Sequence, residues 1–196
     1  NGFLKSGLSV PYLTIASFSG DDIDMPSCVD MSLKLAVQTL TDVGLRIGNI
    51  SFVQGDISNI VVAQQKNGKQ IRQNTKVKRG EVIDLVVEMT ESQTTTNMPD
   101  ILGKTEEEAE KMLWAAGLNV GKKDFEGKKD KNHSRVVSYQ PTFQGLSLGT
   151  TVSLYFINDT KNSYKKAKRD FEEQLILEQS QFEDWAEITE GNVVEI

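Results

Sequence analysis

Apolar positions change period along this chain in a fixed order, and the order occurs twice. From Ser32 onward, Leu33, Ala36, Val37, Leu40 and Val43 recur every three or four residues, the spacing that turns one helix face toward a core. Ser32 is a natural N-cap for this run, and Gly44 stands where a left-handed residue should end it. The period then shortens. Stretches rich in β-branched residues, bounded by turn residues, predict strands at about 45–53, 60–65 and 81–88. The second helix starts at Thr105, where Glu108 completes a capping box, presents Ala109, Met112, Leu113 and Ala116 on one face, and stops at Gly117. Strands are again predicted after it, at about 118–125, 135–140 and 150–157.

The two halves align at an offset of 73 residues, from Met25-Pro26 to Met98-Pro99. The same offset joins Ala36 to Ala109, Leu40 to Leu113, Gly44 to Gly117, Leu45 to Leu118 and Gly48 to Gly121. Val62-Ala63-Gln64-Gln65 corresponds to Val137-Ser138-Tyr139-Gln140 once a short insertion is allowed. Each copy closes with a glycine and an alternating strand, Gly80 before 81–88 and Gly149 before 150–157. Gly7 lies 73 residues before Gly80, so residues 1–17 read as the closing strand of a preceding repeat, with an ordinary N-terminal extension as the alternative. The expected organisation is therefore a closing strand at 1–17, repeats at 18–91 and 98–158, a polar linker at 92–97 and a tail at 159–196. Units this small sit near the lower limit at which one core sustains a fold. An α+β unit, with one helix packed on a three-stranded antiparallel sheet, is the economical way to bury these faces.

The pattern resembles the PASTA domain, named for its association with penicillin-binding proteins and serine/threonine kinases. Met98-Pro99, Gly103, the helix with Ala109 and Leu113, Gly117-Leu118, Val137-Ser138-Tyr139-Gln140-Pro141, Gly145 and Gly149 carry the resemblance, which spans about residues 24–157. The first copy departs from it. Asp30 stands where the family often has Gly, Lys66 replaces the Pro after the Gln, and six extra residues separate Gln65 from Gly80. The resemblance implies tandem βαββ repeats in linear arrays outside the cytoplasmic membrane, with no catalytic function. Some members bind peptidoglycan fragments or β-lactams, and others serve as spacers or protein contacts. With a tail after the repeats, the layout looks like stand-alone PASTA proteins held by a membrane anchor that would lie outside this sequence. The expected partners are peptidoglycan fragments or cell-wall and division proteins, and the alternative is a structural spacer or scaffold without a wall ligand.

Charge and composition narrow the chemistry. The formal net charge of −6 disfavours nucleic acid, whose phosphates need a basic face. One cysteine, Cys28, excludes an internal disulfide, and one histidine, His133, excludes a His-rich metal site. No cofactor is expected. Gly103-Lys104-Thr105 mimics the end of a phosphate loop, but Met98 occupies the place of the required earlier glycine. Ser163-Tyr164-Lys165-Lys166 fits a transpeptidase Ser-x-x-Lys, yet its companion motifs are missing or out of order. Glu106, Glu107 and Glu110 read as a solvated helix face, with a Glu107–Lys111 pair one turn apart.

The candidate ligand-binding surface is the basic stretch of the second copy, where Lys122, Lys123 and Arg135 lie near Tyr139. Lys128, Lys129, Lys131 and Phe143 accompany them, and the alternative is a lysine-rich loop kept soluble by charge. Muropeptides offer carboxylates to such cations and sugar faces to aromatic rings. From Lys161 on, five basic residues precede nine acidic ones, and Tyr164, Ala167, Phe171, Leu175, Phe182 and Trp185 recur at helical spacing. A helix is expected from about 162 to 186, packed on the second repeat or another chain, or able to self-associate.

Overall fold

The computed structural model describes residues 22–190, with side chains through residue 181. The strand expected within residues 1–17 lies outside the described residues, as do the side chains of Phe182 and Trp185.

The fold is α+β. In the first unit, β1 (Asp22–Asp24) precedes α1 (Leu33–Asp42), followed by β2 (Arg46–Gln54), β3 (Ile60–Lys66), β4 (Lys69–Gln70), β5 (Lys76–Lys78) and β6 (Val82–Met89). The second unit has β7 (Thr95–Thr96), α2 (Glu106–Ala115), β8 (Asn119–Phe125), β9 (Ser134–Gln140), β10 (Leu146–Ser147) and β11 (Thr151–Asn158). Then α3 runs from Asn162 to Glu190. Both repeat helices start as their caps dictate. The Ser32 side chain accepts from the Leu35 amide, and at Thr105 both halves of the capping box with Glu108 are made.

The sheets correct the expectation of purely antiparallel pairing. Strand order is β2-β6-β3-β4 in the first unit and β8-β11-β9 in the second, so β6 lies between β2 and β3, and β11 between β8 and β9. β6 is antiparallel to β3 and parallel to β2; β11 is antiparallel to β9 and parallel to β8. The reason is topological. A loop reverses the chain between the two flanking strands, so a third strand inserted between them must run parallel to one. Each unit also pairs the segment before its helix with the segment before its closing strand, β1 with β5 and β7 with β10.

The first unit's extra residues become the β3–β4 hairpin. Asn67 and Gly68 form its turn, both with positive φ, which suits a two-residue connection. Behind it, Gln64 is buried. Its Oε1 accepts from the Cys28 amide at 2.8 Å, and its Nε2 donates to the Pro26 and Ile71 carbonyls. The helix-capping loop is thereby tied to the sheet.

Two cores result. Leu33, Ala36, Leu40, Ile50, Ile83 and Leu85 belong to the first, and Ile101, Leu113, Leu118, Val152, Leu154 and Phe156 to the second. Trp114, carried by the second helix, packs into the first core. The tail helix joins the second core through Phe171 and Leu175, and the Phe171 ring meets Tyr139 edge-on with centroids 5.0 Å apart. Farther along, Ile176 and Leu177 are 67% and 62% exposed, so the helix buries one narrow stripe there.

Candidate functional site

The four residues of the basic surface are distributed over two strands. Lys122 and Lys123 lie on β8, Arg135 and Tyr139 on β9, with β11 between them. Lys123 and Tyr139 share one row through their common neighbour Leu154. Each of the four is already engaged. Lys123 donates to Glu106 at 2.7 Å and also to Glu110, while Lys122 pairs with Asp124 at 2.9 Å. Arg135 pairs with Asp159 at 3.3 Å, at the turn into α3. His133 Nδ1 lies 2.9 Å from the same carboxylate. Tyr139 is buried beneath Phe171, and burial, with the nearby charges of Asp100 and Glu178, raises its hydroxyl pKa.

Helix α2 turns a charged edge toward β8. Burial opposes the charge on Glu106, but hydrogen bonds from Lys123 and Lys129 outweigh it and hold the carboxyl below its ordinary range. Burial likewise opposes the charge on Lys123, and its bonds to Glu106 and Glu110 hold its pKa up. Lys111 takes a partner other than the expected Glu107: its Nζ lies 3.8 Å from Asp42 of the first unit.

That contact belongs to a seam between the units. Arg46 of β2 reaches Glu110 of α2 at 3.2 Å. Asn119, 7% exposed, donates to the Ile50 and Gly149 carbonyls and accepts from the Ile50 amide. Phe52 lies against Gly117 and Gly149; a Cβ on Gly117 would come within 3.1 Å of the Phe52 ring and 2.8 Å of Leu148. Gly117 also has φ +76°, so space and backbone both favour glycine at this position.

Beside the seam opens a cleft of about 680 Å³. Arg46 and Arg79 line it from the first unit, and Lys111, Trp114, Lys129 and Lys131 from the second. Lys129 and Lys131 belong to the basic stretch seen in the sequence. Arg46 and Arg79 do not, since they lie more than 30 residues from the nearest member of that run and only folding brings them close. No local pattern marks them.

Other chemistry is sparse among the described residues. No group of three or more His, Cys, Asp or Glu is arranged to hold a metal ion, and no helix is long and apolar enough to cross a membrane. Cys28 is buried, which pushes its thiol up to about 11, so it is a weak nucleophile.

No known family profile matches the chain. A probable serine/threonine-protein kinase of Clostridium perfringens is 25% identical over 97% of the chain, which spans 28% of that protein's length. Among solved structures, the three-PASTA-domain of a Ser/Thr kinase from Staphylococcus aureus is 19% identical with a TM-score of 0.29, covering 70% of this chain and 66% of that one. The entire extracellular region of the Ser/Thr kinase PrkC from the same organism is 18% identical with a TM-score of 0.30, covering 72% and 49%. Penicillin binding protein 2X from Streptococcus thermophilus is 14% identical with a TM-score of 0.28, covering 70% and 17%. The repeated Met-Pro, Gly-Leu and Val-x-x-Gln positions and the paired helix-and-sheet units are consistent with a PASTA protein.

Proposed function

We propose that this chain is a non-catalytic module of the cell envelope, outside the cytoplasmic membrane, that binds peptidoglycan fragments or cell-wall synthesis machinery. The observation that carries this reading is the tandem repeat itself, with Met25-Pro26 and Met98-Pro99 opening equivalent helix-and-sheet units. The curated relative, a probable serine/threonine-protein kinase, lends it support. In this reading residues 18–91 and 98–158 are the repeats, and Lys122, Lys123 and Arg135 are the second repeat's ligand contacts, with Tyr139 buried beneath Phe171. Calorimetric titration of the purified chain with muropeptide fragments tests it, and a saturable heat is expected. Arg135→Ala should weaken that binding by about 1–3 kcal/mol, the cost of losing a charge-assisted hydrogen bond. No heat at any muropeptide concentration would replace this function with the second reading, a structural spacer. The spacer reading is favoured by the Asn119–Ile50 contact, which ties one repeat to the next.

A further inference from the structure

The cleft between the repeats has the size of a small-molecule site, about 680 Å³ against a usual range of roughly 300–1,000 Å³. Its lining inverts the charge of the chain. Five cations, Arg46, Arg79, Lys111, Lys129 and Lys131, face three carboxylates, Glu106, Glu107 and Glu110, in a protein of net charge −6. Internal pairing consumes only part of that surplus. Glu110 is taken by Arg46 and Lys123, and Glu106 by Lys123 and Lys129. Arg79 and Lys131 have no carboxylate partner among the described residues. Arg46 binds Glu110 through Nη2 alone, leaving Nε and Nη1 as spare donors on a half-exposed side chain. Only Glu107 remains as an unpaired carboxylate in the lining.

We propose that this cleft binds a small acidic peptide, with Arg79 of the first repeat and Lys131 of the second each receiving a carboxylate. The guanidinium fork matches a carboxylate in shape, and the ammonium supplies a point charge on the other wall. Leu45 and Trp114, both buried, give the cleft an apolar base. Two separated cations suit a ligand with at least two carboxylates. A ligand held from both sides also ties the repeats together. The proposal rests on the reading above that the wall ligand is acidic, and it gives that ligand a subsite between the repeats, separate from Lys122, Lys123 and Arg135.

The test is an NMR titration of the ¹⁵N-labelled full chain with triglutamate, with trialanine and inorganic phosphate as controls. Saturable shifts at the Leu45, Gly80 and Lys131 amides are expected with triglutamate, none with trialanine, and weaker ones with phosphate. The Arg79→Gln/Lys131→Gln double variant should weaken triglutamate at least about tenfold, the scale of lost charge-assisted hydrogen bonds. Lys34→Gln, an exposed lysine of α1 outside the cleft, should bind as the parent does. Both altered side chains are exposed, and an unchanged circular dichroism melt verifies folding. Shifts that are absent, that map elsewhere, that survive the double substitution or that phosphate equals would overturn the site. Muropeptide binding that survives the double substitution overturns the site and leaves the wall reading standing. Triglutamate in the cleft with no muropeptide response retains the site and removes the wall ligand.

Discussion

Asn119 holds Ile50 as a neighbouring strand would: its Nδ2 donates to the Ile50 carbonyl at 3.0 Å, and its Oδ1 accepts from the Ile50 amide at 2.7 Å. One side-chain amide thus satisfies both main-chain groups of a buried residue 69 positions away, and the repeats share a polar lock inside an apolar seam. Asn119→Ala leaves the Ile50 amide and carbonyl unpaired. Each such group costs about 1–3 kcal/mol when buried. Scanning calorimetry should show a lower melting temperature and two separated transitions where the parent has one. A variant melting as one transition at the parent temperature would refute the lock.

Trp114 should couple the units in the same way. It lies on the second repeat's helix, is 4% exposed, and packs in the first repeat's core. Trp114→Ala should cost about 3–5 kcal/mol, as for other large buried aromatics. Its Nε1 is buried without a hydrogen-bond partner, so Trp114→Phe loses volume and no hydrogen bond, and should cost clearly less. Equal denaturant midpoints for the two variants would contradict this placement.

The tail helix should stabilise the second repeat through Phe171, whose ring covers Tyr139. Phe171→Ala is expected to lower stability by about 3 kcal/mol. Ile176→Ser, at a position 67% exposed, should change it by less than about 0.5 kcal/mol. Urea melts of the pair decide the matter, and similar losses in both would mean the helix buries a different face.

Glu106 should make stability depend on acid. Its carboxyl is held below the ordinary value of 4.5 by Lys123 and Lys129 against the opposing effect of burial. The unfolded chain therefore binds this proton more readily, so the contribution is present above about pH 4.5 and fades as pH falls through the lower folded value. Glu81, Glu108 and Glu178 are shifted in the same direction, so the comparison must be between variants. Glu106→Gln should be less stable than the parent at pH 7 and converge on it in acid. A constant difference from pH 7 to pH 3 would remove Glu106 from the account.

Local signals were legible in proportion to how local their physics is. The caps at Ser32 and Thr105 need only the next turn of backbone, and both helices start there. Asp30, noted as the residue in place of a family glycine, has φ 67°, as Gly103 has φ 75° at the equivalent position. Asp tolerates that left-handed backbone better than most residues, which is why the departure leaves the fold intact. The basic stretch at 122–135 was visible as charge, but its partners Glu106, Glu110, Asp124 and Asp159 were not. A lysine's availability to a ligand depends on which carboxylates the fold brings near it, and charge in sequence carries no such information.

Period and repeat spacing by themselves determined two helix-and-sheet units, their helix boundaries and their apolar faces, because amphipathic periodicity and capping act within a few residues. Tertiary structure alone decided that the closing strands β6 and β11 insert centrally and run parallel to β2 and β8. It alone placed Trp114 in its neighbour's core, Asn119 on Ile50, and both Arg79 and Lys131 in the lining of one cleft. These contacts join residues far apart in sequence, 69 positions for Asn119 and Ile50, and each is selected by the shape and polarity of two surfaces that exist only once both units have folded.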